Sequence, residues 1–332
     1  MTIAVDVMGG DLGPAEMVAG AMDAAREYGS DLILVGDERV IQEHLRALGV
    51  NMSDARVQHA SESISMDEEP MQAVRHKRDS SLVVAARLVR DGSAQALVSA
   101  GSTGAVVATG PLIVRRLPGV LRPALGTPVP TTAGPCVLLD VGANPECRPE
   151  HLLQFAIMGA AYSTALFGIE RPRVALLNNG TEEIKGNSLT VAAYRLLSDA
   201  DLNFVGNVEG RGIPFGEADV VVSDGFTGNI ALKCMEGVGL AIFDMIRAAV
   251  RESLRSKIGG LMLKPALRGV GKRLDYAEYG GGPLLGLAGL VVKAHGSSNR
   301  RAFKSAIRVA GEALTGGIVD RMRAAFAPQA GT

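Results

Sequence analysis

Residues 203–233 read N-F-V-G-N-V-E-G-R-G-I-P-F-G-E-A-D-V-V-V-S-D-G-F-T-G-N-I-A-L-K. Within them the apolar run Val220-Val221-Val222 feeds the turn Ser223-Asp224-Gly225-Phe226-Thr227-Gly228-Asn229, and a long helical pattern follows at once. Strand, small-residue turn and helix start form the repeating unit of a parallel α/β sheet. Such a turn aims unpaired N–H groups and the positive end of a helix dipole at one point, where an anion such as phosphate fits. It lacks the Lys-Ser/Thr ending of a nucleotide P-loop, so it points to phosphate without a nucleoside triphosphate.

The same alternation runs outward in both directions. Strand-like runs cover residues 3–7, 32–35, 56–59, 96–99, 136–140, 174–177, 204–208 and 220–223. Helical patterns lie between them at 15–28, 38–48, 70–78, 80–91, 103–116, 149–168 and 187–199. Several strands are apolar at consecutive positions, as expected for strands covered on both faces. A mainly parallel sheet with helices on both sides follows. Length alone is a soft prior for two domains, but no linker or internal repeat interrupts the pattern. Residues 1–332 therefore read as one α/β unit.

The longest helical pattern spans about 229–254, with Met235, Val238, Ile242, Met245 and Ala249 on one apolar stripe. It either covers its own sheet or projects to pack against a second copy. Beyond it, residues 251–273 carry seven basic residues and one acidic, Glu252. Leu261-Met262-Leu263, next to Lys264, reads as an apolar tip at a turn in this segment. A solvated charged loop, a contact with an anionic membrane surface and a contact with an acidic protein all suit it.

Composition narrows the function. The 332 residues are 47% apolar and 21% charged, the balance of a folded soluble protein. A net charge of -1, with 4% aromatics and no Trp, removes the global case for nucleic acid. Cys136, Cys147 and Cys234 are widely spaced, a reduced cytosolic pattern and no zinc motif. The histidines (His44, His59, His76, His151, His295) show no metal spacing, so neither a metal nor a cofactor is expected. The chain opens directly on T-I-A-V-D-V, which reads as no signal peptide, and no apolar run reaches the ~20 residues of a spanning helix. An intracellular protein that does not cross the membrane is expected.

Several more small-residue turns follow strands, where open α/β sheets place ligands. These are Asp6-Val7-Met8-Gly9-Gly10-Asp11, then Ser99-Ala100-Gly101-Ser102-Thr103-Gly104, then Asp140-Val141-Gly142-Ala143-Asn144. Asn178-Asn179-Gly180-Thr181-Glu182-Glu183-Ile184-Lys185-Gly186 is another, and it carries a lysine. Each alone is ordinary turn chemistry; gathered at one edge of one sheet, they are expected to form a shared cleft. Lys185 is either an exposed partner of Glu182 and Glu183 or a ligand for the cleft, and its position favours the second. His295-Gly296-Ser297-Ser298-Asn299 precedes a helical run with serine as a plausible N-cap, and it also offers hydrogen-bond donors.

With these turns in view, the chain resembles the PlsX family of phosphate acyltransferases. The resemblance rests on D-V-M-G-G-D (6–11), M-D-E-E-P (66–70), V-S-A-G-S-T-G-A (98–105), L-D-V-G-A-N (139–144), G-N-V-E-G-R (206–211), D-G-F-T-G-N (224–229), Y-G-G-G-P-L-L-G (279–286) and H-G-S-S (295–298). The chain departs from the family at Ser102 (usually Asn), Asn179 (small and apolar), Gly212 (Asp) and Gly282 (Ala). The resemblance implies a Rossmann-like three-layer α/β/α sandwich akin to isocitrate and isopropylmalate dehydrogenases, usually a homodimer. It implies transfer of a fatty acyl group from acyl carrier protein to inorganic phosphate, in the cytoplasm with peripheral membrane attachment. The acyl phosphate would then serve a membrane glycerol-3-phosphate acyltransferase.

Phosphate is already anionic at neutral pH, so it can attack a thioester without a Ser-His or Cys-His pair. The enzyme then supplies position and charge. Lys185 and Asn229 are expected to hold the phosphate or the oxyanion, and His295 to protonate the leaving thiolate or merely to shape its turn. Gly9, Gly10, Asp11, Gly101, Ser102, Thr103, Gly104, Asn144, Asn178, Asp224, Gly225, Thr227, Gly228, Ser297 and Ser298 are expected to line the cradle, with N–H groups of the 101–104 and 225–229 turns in it. The rival readings are a nucleotide-dependent dehydrogenase on the same fold and a membrane-docked scaffold without activity.

Overall fold

The computed structural model of the chain describes residues 1–274 and 280–327; Tyr279 of the glycine-rich motif lies outside them. Its strands are β1 (Thr2–Asp6), β2 (Asp31–Gly36), β3 (Arg56–His59), β4 (Ala96–Ser99), β5 (Ala124–Thr131), β6 (Gly134–Leu139), β7 (Arg173–Asn178), β8 (Asn203–Glu209), β9 (Val220–Val222), β10 (Gly281–Leu285) and β11 (Leu290–Ala294). They form one sheet in the order β3-β2-β1-β4-β11-β10-β5-β6-β9-β7-β8. The helices are α1 (Pro14–Tyr28), α2 (Glu38–Ala47), α3 (Pro70–His76), α4 (Ser81–Arg90), α5 (Thr103–Thr109), α6 (Pro149–Phe167), α7 (Ser188–Ser198), α8 (Gly225–Arg251), α9 (Leu254–Leu274), α10 (Arg300–Thr315) and α11 (Ile318–Ala325).

Alternating side chains send each strand into two cores. On one face Ile3, Val5, Val292 and Ala294 pack with Phe303 and Ala306 of α10, beside residues of α1, α2, α6, α7 and α11. On the other, Ala4, Leu97 and Val291 pack with Leu82 and Ala86 of α4 and Val106 of α5. The result is a three-layer α/β/α sandwich, as expected from the sequence.

The sheet is parallel within two blocks, and the blocks run in opposite directions. β3, β2, β1, β4 and β11 are mutually parallel, as are β6, β9, β7 and β8. Between them β11–β10, β10–β5 and β5–β6 are all antiparallel. The strand-end turns therefore do not share one edge of the sheet, which corrects the sequence expectation. The antiparallel centre, and β11 beside it, are what the sequence pattern missed. Pro128 and Pro130 interrupt β5, which the sheet tolerates because β10 pairs only with Leu125 and Ala124. In β10 a side chain at Gly282 would have its Cβ 2.1 Å from the Gly126 carbonyl oxygen, so the chain's departure to glycine suits this packing.

Residues 251–273 also differ from expectation. They are not a loop with a tip at a turn: most of the segment is helix α9, with Pro265 inside, folded back along α8. Only Gly225 and Gly228 of α8 are buried, so the helix projects from the body as the sequence anticipated, though it starts at Gly225. No helix among the described residues is long and apolar enough to cross a membrane.

Phe303 is fully buried where α10 meets the sheet. Phe303→Ala should cost about 3–5 kcal/mol of folding stability, seen as a lower urea midpoint with an unchanged m-value.

Candidate active site

The end of β6 is organised around a buried charge. Asp140 is fully buried, and its carboxylate accepts from the N–H groups of Leu125 (3.0 Å), Gly142 (3.2 Å), Ala143 (3.0 Å) and Asn144 (2.7 Å) and from Asn144 Nδ2 (2.8 Å). Burial pushes its pKa up, and these donors oppose that rise. Asn144 Nδ2 also donates to the Pro123 carbonyl at 2.7 Å, and the Asn144 carbonyl receives Gly225 N at 2.8 Å. The start of α8 is thereby locked onto the 140–144 turn. A Cβ at Gly228 would lie 2.0 Å from the Asp140 carbonyl oxygen.

This geometry reassigns the turn after β9. Asp224 is the N-cap of α8, and its carboxylate accepts from Phe226 N (3.0 Å), Thr227 N (2.9 Å) and Thr227 Oγ1 (2.8 Å). Gly228 N donates to the Asp224 carbonyl. All four N–H groups from 225 to 228 are thus taken up within the protein, and the backbone cradle expected there is already filled by Asp224. Asn229 is exposed, its side chain beside Gly142, and its amide makes no hydrogen bond among the described residues.

β7 lies beside β9 and ends at the same edge. Asn178 Nδ2 donates to the Lys185 carbonyl at 3.0 Å, and Asn207 Nδ2 donates to the Glu182 carbonyl at 2.8 Å. These two asparagines clamp the 179–186 loop. Lys185 is exposed in it, and no carboxylate pairs with its ammonium among the described residues. The ion pair with Glu182 or Glu183 is therefore absent there.

A second cluster lies at the ends of β1, β4 and β11. Buried Asp6 accepts from Ser99 Oγ at 2.7 Å and Met8 N at 3.2 Å, while Ser99 Oγ receives Gly101 N at 3.0 Å. Burial raises the Asp6 carboxyl. Asp11 N donates to the Gly296 carbonyl at 2.8 Å, and a Cβ at Gly9 would lie 2.7 Å from Gly101 N. The three turns are packed backbone to backbone. Asn299, not a serine, caps α10 by accepting from Ala302 N at 3.0 Å. Ser297 is exposed, and the buried Ser298 hydroxyl has no partner among the described residues. Gly104 packs on Pro70, Thr103 is exposed and Ser102 makes no side-chain cap.

Helix α8 joins the two clusters. Asn229, Lys233 and Glu236 lie at i, i+4 and i+7 on one face. Glu236 Oε1 lies 3.8 Å from His295 Nε2, and Lys233 pairs with Glu236 at 2.7 Å. Seven residues of helix put about 10 Å between the levels of Asn229 and Glu236. The sequence candidates thus fall into two groups: Asn144, Asn178, Lys185, Asp224, Gly225, Thr227, Gly228 and Asn229 at one end, and Gly9–Asp11, Gly101–Gly104 and His295–Ser298 at the other. The sequence reading missed Lys233, Glu236 and Lys293, and it named Asp6 and Asp140 only as turn residues, not as buried acids that organise those turns. Lys293 had a signal, a single cation inside the strand run L-V-V-K-A. A cavity of about 220 Å3 lined by Asp31, Asp54 and Arg56 lies at the opposite end of β2 from its C-terminal turn and belongs to neither group.

The family model for fatty acid synthesis proteins matches residues 1–321. The phosphate acyltransferase of Moorella thermoacetica is 53% identical over 96% of this chain and 94% of its own length. That of Desulfitobacterium hafniense strain DSM 10664 is 51% identical over 97% of each. Among solved structures, a phosphotransacetylase from Streptococcus pyogenes superposes with a TM-score of 0.65 at 20% identity, covering 95% of this chain and 94% of that one. The EutD phosphotransacetylase of Staphylococcus aureus follows at 0.60 and 18%, with the same coverage, a likeness of fold. The chain belongs to this fatty acid synthesis protein family, the PlsX phosphate acyltransferases, and is an acyltransferase that works on phosphate.

Gly228→Ala should destabilise the fold by about 1–3 kcal/mol, since the new methyl must displace the Asp140 carbonyl. Thermal unfolding checks this, with Gly237→Ala, where a Cβ meets open space, as the control expected to gain about 0.5–1 kcal/mol from helix propensity.

Proposed function

We propose that this acyltransferase moves a fatty acyl group from acyl carrier protein to inorganic phosphate, and that a membrane glycerol-3-phosphate acyltransferase uses the product for phospholipid synthesis. A phosphate oxygen attacks the thioester carbon directly, the C–O bond forms, the oxyanion collapses and the C–S bond breaks. No acyl-enzyme is needed. One observation carries the assignment of roles. With the N–H groups of 225–228 occupied, the Asn229 amide and the Lys185 ammonium are open cationic and amide donors at the ends of β9 and β7 among the described residues. They hold the phosphate and the developing oxyanion, in the manner of preorganised donors aimed at a charge that grows in the transition state.

The α8–α9 hairpin is read as the contact region of a homodimer and of a peripheral membrane site. Met245 on α8 is 62% exposed, and Leu261, Met262 and Leu263 on α9 are 69%, 79% and 58% exposed. Lys264 and the neighbouring basic residues suit anionic lipid, and they equally suit an acidic carrier protein. The protein would then work in the cytoplasm at the membrane surface. A hydride-transferring enzyme on this fold would need a dinucleotide, and the chain offers no G-x-G-x-x-G turn for it. A scaffold without activity would leave acyl thioester unconsumed.

Lys185→Ala and Asn229→Ala should each lower kcat for acyl phosphate formation by about 100-fold or more, with the circular dichroism of the fold retained. Near-normal synthesis by the double variant would remove both residues from the site. Leu261→Glu combined with Leu263→Glu should weaken co-sedimentation with vesicles containing phosphatidylglycerol. Unchanged sedimentation with lost carrier-protein binding would assign the segment to the carrier.

A further inference from the structure

Residues 92–139 contain three arginines and no acidic residue. All three stand in the loop that leads into β5, Arg115-Arg116-Leu117-Pro118-Gly119-Val120-Leu121-Arg122. β5 is antiparallel to β6 and starts beside its end, so Arg122 lies at the same end of the sheet as the Asp140 turn. The next residue, Pro123, offers the carbonyl that accepts from Asn144 Nδ2, and the Asn144 carbonyl receives Gly225 N. Hydrogen bonds through Asn144 thus tie the end of the loop to the turn of α8 that carries Asn229.

The loop is held rigidly. Arg116 Nη1 donates to the carbonyls of Val120 (3.2 Å) and Leu121. Gln154 of α6 accepts from Leu121 N and donates to the Gly119 carbonyl, both at 2.8 Å. Leu117 N donates to the Gly286 carbonyl at 3.0 Å and Ala288 N to the Arg115 carbonyl at 2.9 Å, so the turn between β10 and β11 grips the other end. In this clamp Arg115 has φ 73° and ψ 155° and is the one non-glycine residue with positive φ among the described residues. That region of backbone space belongs almost wholly to glycine. The arginine there is exposed, and its guanidinium makes no hydrogen bond or ion pair among the described residues.

Arg148, at the start of α6, extends the same surface. Its Nη2 lies 3.5 Å from His151 Nε2. Burial, and then Arg148 and Arg122, lower the His151 pKa, which sets both guanidinium groups around one imidazole. Arg115, Arg122 and Arg148 are exposed, and none pairs with a carboxylate among the described residues, Glu146 and Glu150 included. Leu121, 41% exposed, adds an apolar contact beside Arg122. Unpaired arginines beside an exposed leucine on a rigid loop suit an acidic protein partner. The α8–α9 hairpin is the rival basic surface, and distance decides between the two. Gly260 of α9 packs on Val250 of α8, and at a helical rise of 1.5 Å per residue the span from Asn229 to Val250 is about 30 Å. A thioester brought by a protein at the hairpin tip would have to cross that span. One brought to the arginine loop arrives beside the Asn144 turn.

We infer that Arg115, Arg122 and Arg148 form the surface on which an acidic carrier protein docks to present its acyl thioester to the Asn229 end of the site. The inference rests on the proposed transfer from a carrier-protein thioester and names the face from which that substrate arrives. Carboxylates of the carrier meet the guanidinium groups, speeding encounter and fixing orientation. The arginines do not touch the reacting atoms, so they govern capture of the carrier and leave the chemical step alone.

The test compares acyl phosphate formation from acyl carrier protein thioester with that from the same acyl group on pantetheine, which brings no protein surface. The triple variant Arg115→Glu, Arg122→Glu, Arg148→Glu should raise KM for the carrier thioester about tenfold or more. Its kcat at saturation, and its rate with the pantetheine thioester, should match wild type. Wild-type kcat/KM for the carrier should fall as salt is raised, and that of the variant much less. Arg115→Gly removes one charge and relieves the backbone, so it should unfold thermally no earlier than wild type while raising the carrier KM about threefold. An unchanged carrier KM in the triple variant, or an equal loss with both thioesters, would overturn the inference. So would loss of co-sedimentation with phosphatidylglycerol vesicles at an unchanged carrier KM, which would make the loop a lipid contact. Carrier binding lost by Leu261→Glu with Leu263→Glu but kept by the triple variant would move the docking surface to the hairpin. If the triple variant does not fold, Arg115→Gly decides alone. A wild type that forms no acyl phosphate from either thioester would overturn the parent reading, and the docking surface with it.

Discussion

Burial of the Asp140 carboxylate is the constraint on which one half of the site depends. A charge in the interior is tolerated only when hydrogen bonds replace its water. Five N–H donors do so here, four of them from backbone. Satisfying that one side chain fixes the conformation of residues 140–144, and Asn144 passes the constraint to Gly225 and so to the axis of α8. Asp6 plays a related part at the end of β1, drawing Ser99 and Met8 N to itself. Each parallel block closes on a buried acid that shapes a turn.

The opposed direction of the two blocks gives α8 its importance. In a sheet of one polarity, all strand-end turns would meet along one edge. Here β10 and the β5–β6 hairpin reverse the direction, and the two turn clusters must be connected by something that crosses between them. The first three turns of α8 do this, carrying Asn229, Lys233 and Glu236 on one face. Asn229, beside the 140–144 turn, and Glu236, beside His295, therefore sit at different levels of one helix.

The outer strands and their helices were legible because burial on both faces writes continuous apolar runs into the sequence, as in Val220-Val221-Val222. The antiparallel centre was not. Prolines 128 and 130 and glycines 281 and 282 are strand-breaking signals, and they are allowed only by local pairing and close backbone approach that a sequence does not display. Helix α9 was hidden for a different reason: it lacks a strong apolar stripe, and among the described residues α8 is the element it packs against most. At the site, residue types in the turns were readable while their partners were not. Asp224 looked like one donor-rich turn residue among several, yet its carboxylate takes the very N–H groups offered to a ligand. Lys293 was not singled out, although it is a cation within an apolar run, and its register with Ser99 and Asp6 is visible only in the fold.

The length of α8 adds a mechanical consequence. From Gly225 to Arg251 it is a single helix, anchored at its first turn by the Asp140 turn and with no buried residue beyond Gly228. In its far half, Phe243 and Val250 lie against Gly271 and Gly260 of α9. A surface that gripped the hairpin would hold the helix at one end, while the buried acid holds it at the other. Asn229 and Glu236 lie between those two anchors, so a small rotation of the helix would move both relative to turns that are fixed in the sheet. Such a rotation would couple a contact on the hairpin to the spacing between Asn229 and the 140–144 turn.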